Sequence, residues 1–232
     1  MKRFYKEAGT APVEGGHGVL LDGKPVRTPA RAPLVAPTAA LAQAVADEWH
    51  AQSEKIEPAT MPLMRMVATA IDRIPGRRSS VEADLVSFGA ADLLCYRAKT
   101  PSELVARQMA LWQPVLDWAA LRLDAALLVT DDVRHVEQPP QALAALTRRL
   151  QALDALELTA VHAVTSPTGS LLLALALLDD EIDAERAFEA GLADELYNLQ
   201  VWGEDPDARS RLEALRSEIA AARRLIELRR AL

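Results

Sequence analysis

A chain of 232 residues can bury a sizeable core and leaves room for one or two domains. Half of it is hydrophobic but only 4% is aromatic, so that core must be built mainly from Leu, Ala and Val on helices. A net charge of −7 excludes wrapping nucleic acid or lying on an anionic membrane, both of which need a basic face, and leaves a neutral or basic protein as the easier partner.

The start of the chain, Met1-Lys2-Arg3-Phe4-Tyr5, runs directly into polar and Gly-rich residues, so no secretory signal or transit peptide is expected and the protein reads as cytoplasmic. Four short strands are predicted at Phe4-Tyr5, Val19 to Leu21, Val26 to Thr28 and Leu34-Val35, forming a twisted sheet or small barrel. Between the second and third, Asp22-Gly23 flanked by apolar runs is a strong hairpin signal. Gly15-Gly16-His17-Gly18 precedes a strand, opens no helix and lacks a Gly-Lys-Ser/Thr ending, so it reads as a turn and not a phosphate loop.

A helix should begin after Pro37 with Thr38 as its cap, and Leu41, Val45 and Trp49 then share one stripe facing the sheet. After a turn at Pro58 to Pro62, the stripe Leu63, Val67, Ala70, Ile71 and Ile74 predicts a second helix stopped by Pro75-Gly76. The overall expectation is α+β: a small N-terminal antiparallel β domain with one helix over residues 1–60, and a larger α-helical domain over 61–232.

Two capping boxes are predicted in the second part. Ser79-x-x-Glu82 opens a helix through Leu85 and Phe88, and Thr100-Pro101-Ser102-Glu103 opens one carrying Leu111, Trp112, Val115 and Trp118, with Pro114 as a kink. Leu127-Leu128-Val129 reads as a short extended piece. Further helices are expected at Pro139 to Ala155, Leu158 to Val164, Gly169 to Asp180, Asp183 to Val201, and from a cap at Asp205 with Pro206 to the end. The run Leu171 to Leu178 would rise only about 12 Å, too short to span a bilayer, and reads as a buried core helix.

Catalytic groups are scarce. The single Cys95 excludes an internal disulfide and a multi-cysteine zinc site, fits a reducing compartment, and sits among apolar neighbours as an inert core residue. The four histidines are scattered, with His162 an ordinary, partly buried one, so no metal and no cofactor is expected. Asp47-Glu48 and Asp179-Asp180-Glu181 read as solvated acids, and Thr168-Gly169-Ser170 as ordinary capping, although its free N–H groups also suit an anion.

The segment from Asp194 to Asp207 is different, because acids, amides and aromatics alternate where a helix ends. Helix-dipole preference explains part of it; the functional reading is an acidic recognition patch with Tyr197 and Trp202 as its anchors.

Six segments taken in order carry a resemblance: Leu21-Asp22-Gly23-Lys24-Pro25-Val26-Arg27-Thr28-Pro29, Glu48-Trp49-x-x-Gln52, Ile56-x-Pro58-x-x-Met61-Pro62, Thr69-Ala70-Ile71-Asp72-Arg73, Asp92-Leu93-Leu94-Cys95-Tyr96-Arg97 and Trp202-Gly203. Together they resemble the family of assembly chaperones for the catalytic head of the F-type ATP synthase, the one that holds the α subunit. The resemblance implies no catalysis. It implies binding of the unassembled α subunit, shielding of a surface that would otherwise aggregate, and release when the β subunit arrives. It associates function with the acidic stretch ahead of Trp202-Gly203, here Asp194, Glu195, Trp202 and Gly203 with Glu204 beside them. A protein monomeric when free is expected, and the charge and the short apolar run leave no nucleic-acid partner and no stable membrane insertion. The competing reading is an enzyme of unknown type using Cys95 or a carboxylate pair in a cleft between domains.

Overall fold

The computed structural model describes residues 1–132, 134–203 and 206–231. Among these residues a small antiparallel sheet at the N-terminus is followed by ten α-helices, which is the α+β architecture expected. Contacts divide the chain into two compact units. One holds residues 1–78, 154–160 and 224–232, and the other holds 79–153 and 161–223.

In the first unit, β1 (Ala8–Val13) pairs antiparallel with β2 (Gly16–Leu21), which also pairs with β3 (Lys24–Pro25) and β4 (Val35–Ala36), giving an open sheet and not a barrel. The first strand thus lies after Phe4-Tyr5. Its Gly9 and Pro12 disguise it, since proline is tolerated only where the ladder does not need its missing donor, as on this edge strand. The Asp22-Gly23 hairpin forms as expected, both residues having positive φ (48° and 76°), the pattern of a two-residue type I′ turn. The Asp22 carboxylate accepts from the N–H groups of Glu7 and Lys6, which hold it below the usual carboxylate range.

Helix α1 (Ala39–His50) is capped by Thr38, whose Oγ1 accepts from Leu41 N at 3.1 Å and donates to Leu228 O at 2.7 Å. Its buried stripe of Leu41, Val45 and Trp49 packs on the sheet. Tyr5 lies edge-on to Trp49 with ring centroids 5.6 Å apart and donates its hydroxyl to Trp49 O.

Helix α2 (Pro62–Asp72) ends before Ile74, and Pro75-Gly76 does not stop a helix but sits in the first turn of α3 (Ile74–Ala90). A proline is harmless there because its absent N–H has no intrahelical partner to lose. The Ser79 box therefore lies inside α3 and opens nothing. Likewise α4 (Ser102–Arg122) starts one residue later than expected, with an extended Pro101 at the cap and no side-chain cap bond.

Pro114 lies inside α4 and removes the N–H that would bond the carbonyl four residues back, at Ala110. Arg186 supplies a substitute, its Nη2 donating to Ala110 O at 2.7 Å. The rest of the second unit follows in order: α5 (Pro140–Gln151), α6 (Ala155–Thr168), which starts in the first unit, α7 (Leu171–Leu178), α8 (Ala184–Gly191), α9 (Ala193–Trp202) and α10 (Pro206–Arg230). The single helix expected over 183–201 is two, broken at Leu192. All eight residues of α7 are buried, and α4 and α8 pack against it. A Cβ on Gly191 would come within 2.5 Å of the Thr168 side chain, so α8 closes on Thr168 only because that side chain is missing.

His162 is exposed rather than partly buried, because it faces outward from an α6 whose inner positions are Val161 and Val164. Among the described residues no helix is long and apolar enough to cross a membrane, and no group of three metal-ligating side chains gathers.

Candidate functional site

Most of the segments that drew attention in the sequence turn out to hold the fold together. Glu48 was expected to be solvated; instead its Oε1 accepts from Leu63 N and its Oε2 from Met64 N, each at 2.8 Å, and burial raises its pKa. It caps α2, whose own cap residue, Met61, has no acceptor to offer. Gln52 accepts from Glu57 N at 2.7 Å and donates to Thr60 Oγ1. Asp72 ties Thr28 to Ala30 by accepting from Thr28 Oγ1 at 2.6 Å and Ala30 N at 3.0 Å.

Asp92 does the same in the second unit and is wholly buried. Its carboxylate accepts from Leu94 N and Leu172 N, both at 3.1 Å, with further bonds from Ser170 and Leu171. The anion at the Gly169-Ser170 helix start is therefore the protein's own side chain. Burial pushes its pKa up to about 6 against these bonds, which lower it. Cys95 is buried beside it, and burial together with the Asp92 charge pushes its thiol up to about 12, the opposite of the lowered range of an activated cysteine. The acids at 179 and 180 are also engaged, Asp179 with Arg149 and Asp180 with Arg223.

The predicted patch is organised differently. Asp194, Tyr197, Val201 and Trp202 fall at i, i+3, i+7 and i+8 on α9, one outward face about 12 Å long. Trp202 is 84% exposed and Val201 51%. Gly203 ends the helix with φ +92° and donates to Leu199 O at 2.9 Å, a conformation that other residues adopt with strain. Glu204 lies outside the described residues.

Asp194 and Glu195 are each positioned from behind. The buried Gln108 of α4 accepts from Ala98 N at 2.8 Å and donates Nε2 to Asp194 at 2.7 Å. Glu195 pairs with Arg211 of α10. Both carboxylates lie in the first turn of α9, where the helix dipole favours them. The unit around them holds 12 Lys and Arg against 22 Asp and Glu, net −10, whereas the other holds 14 against 11, net +3. The α9 face thus presents an exposed tryptophan on the unit that carries the net negative charge. Sequence reasoning missed Gln108; its amide serves two unconnected segments, a role that no local pattern marks.

A family model described as ATP12 chaperone protein matches residues 2–120. The crystal structure of Atp12 from Paracoccus denitrificans, and that of an aspartate-to-lysine variant of it, are 39% identical to this chain at TM-score 0.91, covering 99% of this chain and 98% of theirs. The Atu1473 protein of Agrobacterium tumefaciens is 46% identical at TM-score 0.91, covering 97% of this chain and 85% of its own. With the family model spanning half of the sequence and these relatives nearly all of it, the chain belongs to the ATP12 chaperone family.

Proposed function

We propose that this chaperone acts in the bacterial cytoplasm on the unassembled α subunit of the F-type ATP synthase, shielding it until the β subunit takes its place. The observation that carries this reading is the bare Trp202 at the end of α9. A tryptophan left 84% exposed, two helical turns from Asp194 and Glu195, is the composition of an interface anchor with a polar surround. The negative field around it favours a partner that binds well yet can be displaced, since charged contacts set encounter and selectivity more than permanence. Asp194, Glu195, Tyr197, Trp202 and Gly203 are the contact residues in this proposal. The enzyme reading loses support because Cys95 is buried and protonated, while Glu48, Asp179 and Asp180 are committed to caps or ion pairs.

The test is to mix the purified protein with isolated α subunit and follow light scattering and size exclusion. A soluble, defined complex that dissolves on addition of β subunit is the expected result. Aggregation of α at an unchanged rate, with both components folded, would overturn the proposal.

A further inference from the structure

Between α4 and α5 the chain passes through five residues, 126–130, with no helical or turn hydrogen bond. Thr130 pairs in parallel with Tyr96: its N–H donates to Cys95 O and its carbonyl accepts from Arg97 N, both at 2.8 Å. Leu128 is satisfied in another way. The buried Gln138 side chain accepts from Leu128 N at 2.7 Å and donates to Leu128 O at 3.0 Å, standing in for a strand neighbour. In an extended chain alternate residues direct their backbone groups to opposite sides. With Leu128 and Thr130 bonded inward, the N–H and C=O groups of Leu127 and Val129 point outward, and no described residue bonds them. The Leu128 and Val129 side chains are half exposed, and Leu121 nearby in sequence is more so. Unbonded main-chain groups beside exposed apolar side chains, next to the isolated bridge of Tyr96 and Thr130, are a template for another strand.

We infer that this edge receives an extended segment of the client by strand addition, a second contact separate in sequence from the α9 face; the inference rests on the function proposed above. Charge decides the occupant. Asp124 and Glu137 flank the edge without an ion-pair partner among the described residues, while Asp131 and Asp132 are matched by Lys99 and Arg134. A client strand with apolar residues against Leu128 and Val129 and Lys or Arg reaching Asp124 and Glu137 supplies the cations that these two acids lack among the described residues. Main-chain bonds then give affinity and the flanking charges give selectivity.

The experiment is residue-resolved hydrogen exchange on the full-length protein, free and with isolated α subunit, alongside binding of two variants. In the free protein the amides of Leu127 and Val129 exchange fast while those of Leu128 and Thr130 are slow; in the complex all four are slow. Val129→Pro removes an N–H that no described residue uses and weakens binding about tenfold or more, the loss of one edge hydrogen bond with its register. Val129→Ala keeps the N–H and most of the affinity, and circular dichroism shows both variants folded. A complex in which the amides at 127 and 129 stay fast and Val129→Pro binds normally overturns this inference and leaves the proposed function standing. Absence of any complex overturns both. Protection that grows with concentration of the free protein makes the occupant a second copy and overturns the inference.

Discussion

Asp92 and Asp194 both stand at helix N-termini of the same unit, Asp92 against α7 without exposure and Asp194 in the first turn of α9 facing solvent. Asp92 is surrounded by donors that have no other acceptor, so its charge is consumed within the fold. Asp194 shares one bond with Gln108 and keeps the rest of its acceptor capacity for water or a partner. The contrast separates two settings of acid in this chain: clamps that join distant segments, as Glu48 and Asp72 do in the other unit, and surface carboxylates that keep acceptor capacity free.

Asp92→Ala is the sharpest way to break that distinction, and it carries the largest expected effect. It strands the N–H groups of Leu94 and Leu172 in a dry site and should cost about 3 to 5 kcal/mol of stability by urea unfolding. The pH dependence gives a second reading of the same residue. With a folded pKa of about 6 against about 3.9 in the unfolded chain, the folded state binds the extra proton between these values. The stabilising contribution is therefore fully present below about pH 4 and lost as pH rises through 6. Asp92→Asn has no such proton, so wild-type stability relative to this variant should fall by about 2 kcal/mol between pH 4 and 7. A flat difference across that range would mean that the carboxyl is ionised in the fold at all these pH values.

Glu48→Ala should follow, at about 2 kcal/mol, because it uncaps α2 at both Leu63 and Met64. Trp202→Ala should do the reverse. Unfolding free energy should stay within about 0.5 kcal/mol of wild type, as expected for an exposed side chain, while affinity for isolated α subunit should drop roughly 30-fold, the mark of an interface anchor. A loss of stability without a loss of binding would place Trp202 among the clamps.

The fold was legible wherever local chemistry decides structure. Asp22-Gly23 forms its turn, Thr38 caps α1, and the apolar run 171–178 is the buried helix its composition demands. The errors arose where a residue's partner is distant in sequence. Glu48 looks like a surface acid until Leu63 and Met64, some 15 residues on, are placed at its tip. Asp92 finds Leu172 across 80 residues, and no spacing rule announces it. Pro75 read as a stop because proline signals both the end of one helix and the first turn of the next. The resemblance was legible for a related reason: Glu48, Gln52, Asp72 and Asp92 lie within its segments and are the clamps of the fold. The α9 face was legible only as a composition of acids and aromatics, which geometry then sorted into one outward stripe.

Glu195→Lys bears on the difference between clamp and surface at its narrowest point, because this carboxylate belongs partly to each. It pairs with Arg211, yet both side chains are partly exposed, so the pair is solvent-screened and contributes little to folding. Reversal sets an ammonium against the Arg211 guanidinium and in the first turn of α9, where the dipole disfavours a cation; both terms are modest, and the expected loss of stability is under about 1 kcal/mol. The effect on the client is larger, since the negative field beside Trp202 loses two units of charge. Binding should weaken several-fold, chiefly through a slower association rate, and the deficit should shrink as salt is raised from 50 to 500 mM, where the Debye length falls to about 4 Å. Stopped-flow association at the two salt concentrations, beside a urea unfolding curve, separates the cases. A weakening that salt leaves unchanged would mean that Glu195 acts by direct contact and not through its field, and a lost folding transition would make the Glu195–Arg211 pair a clamp like Asp92.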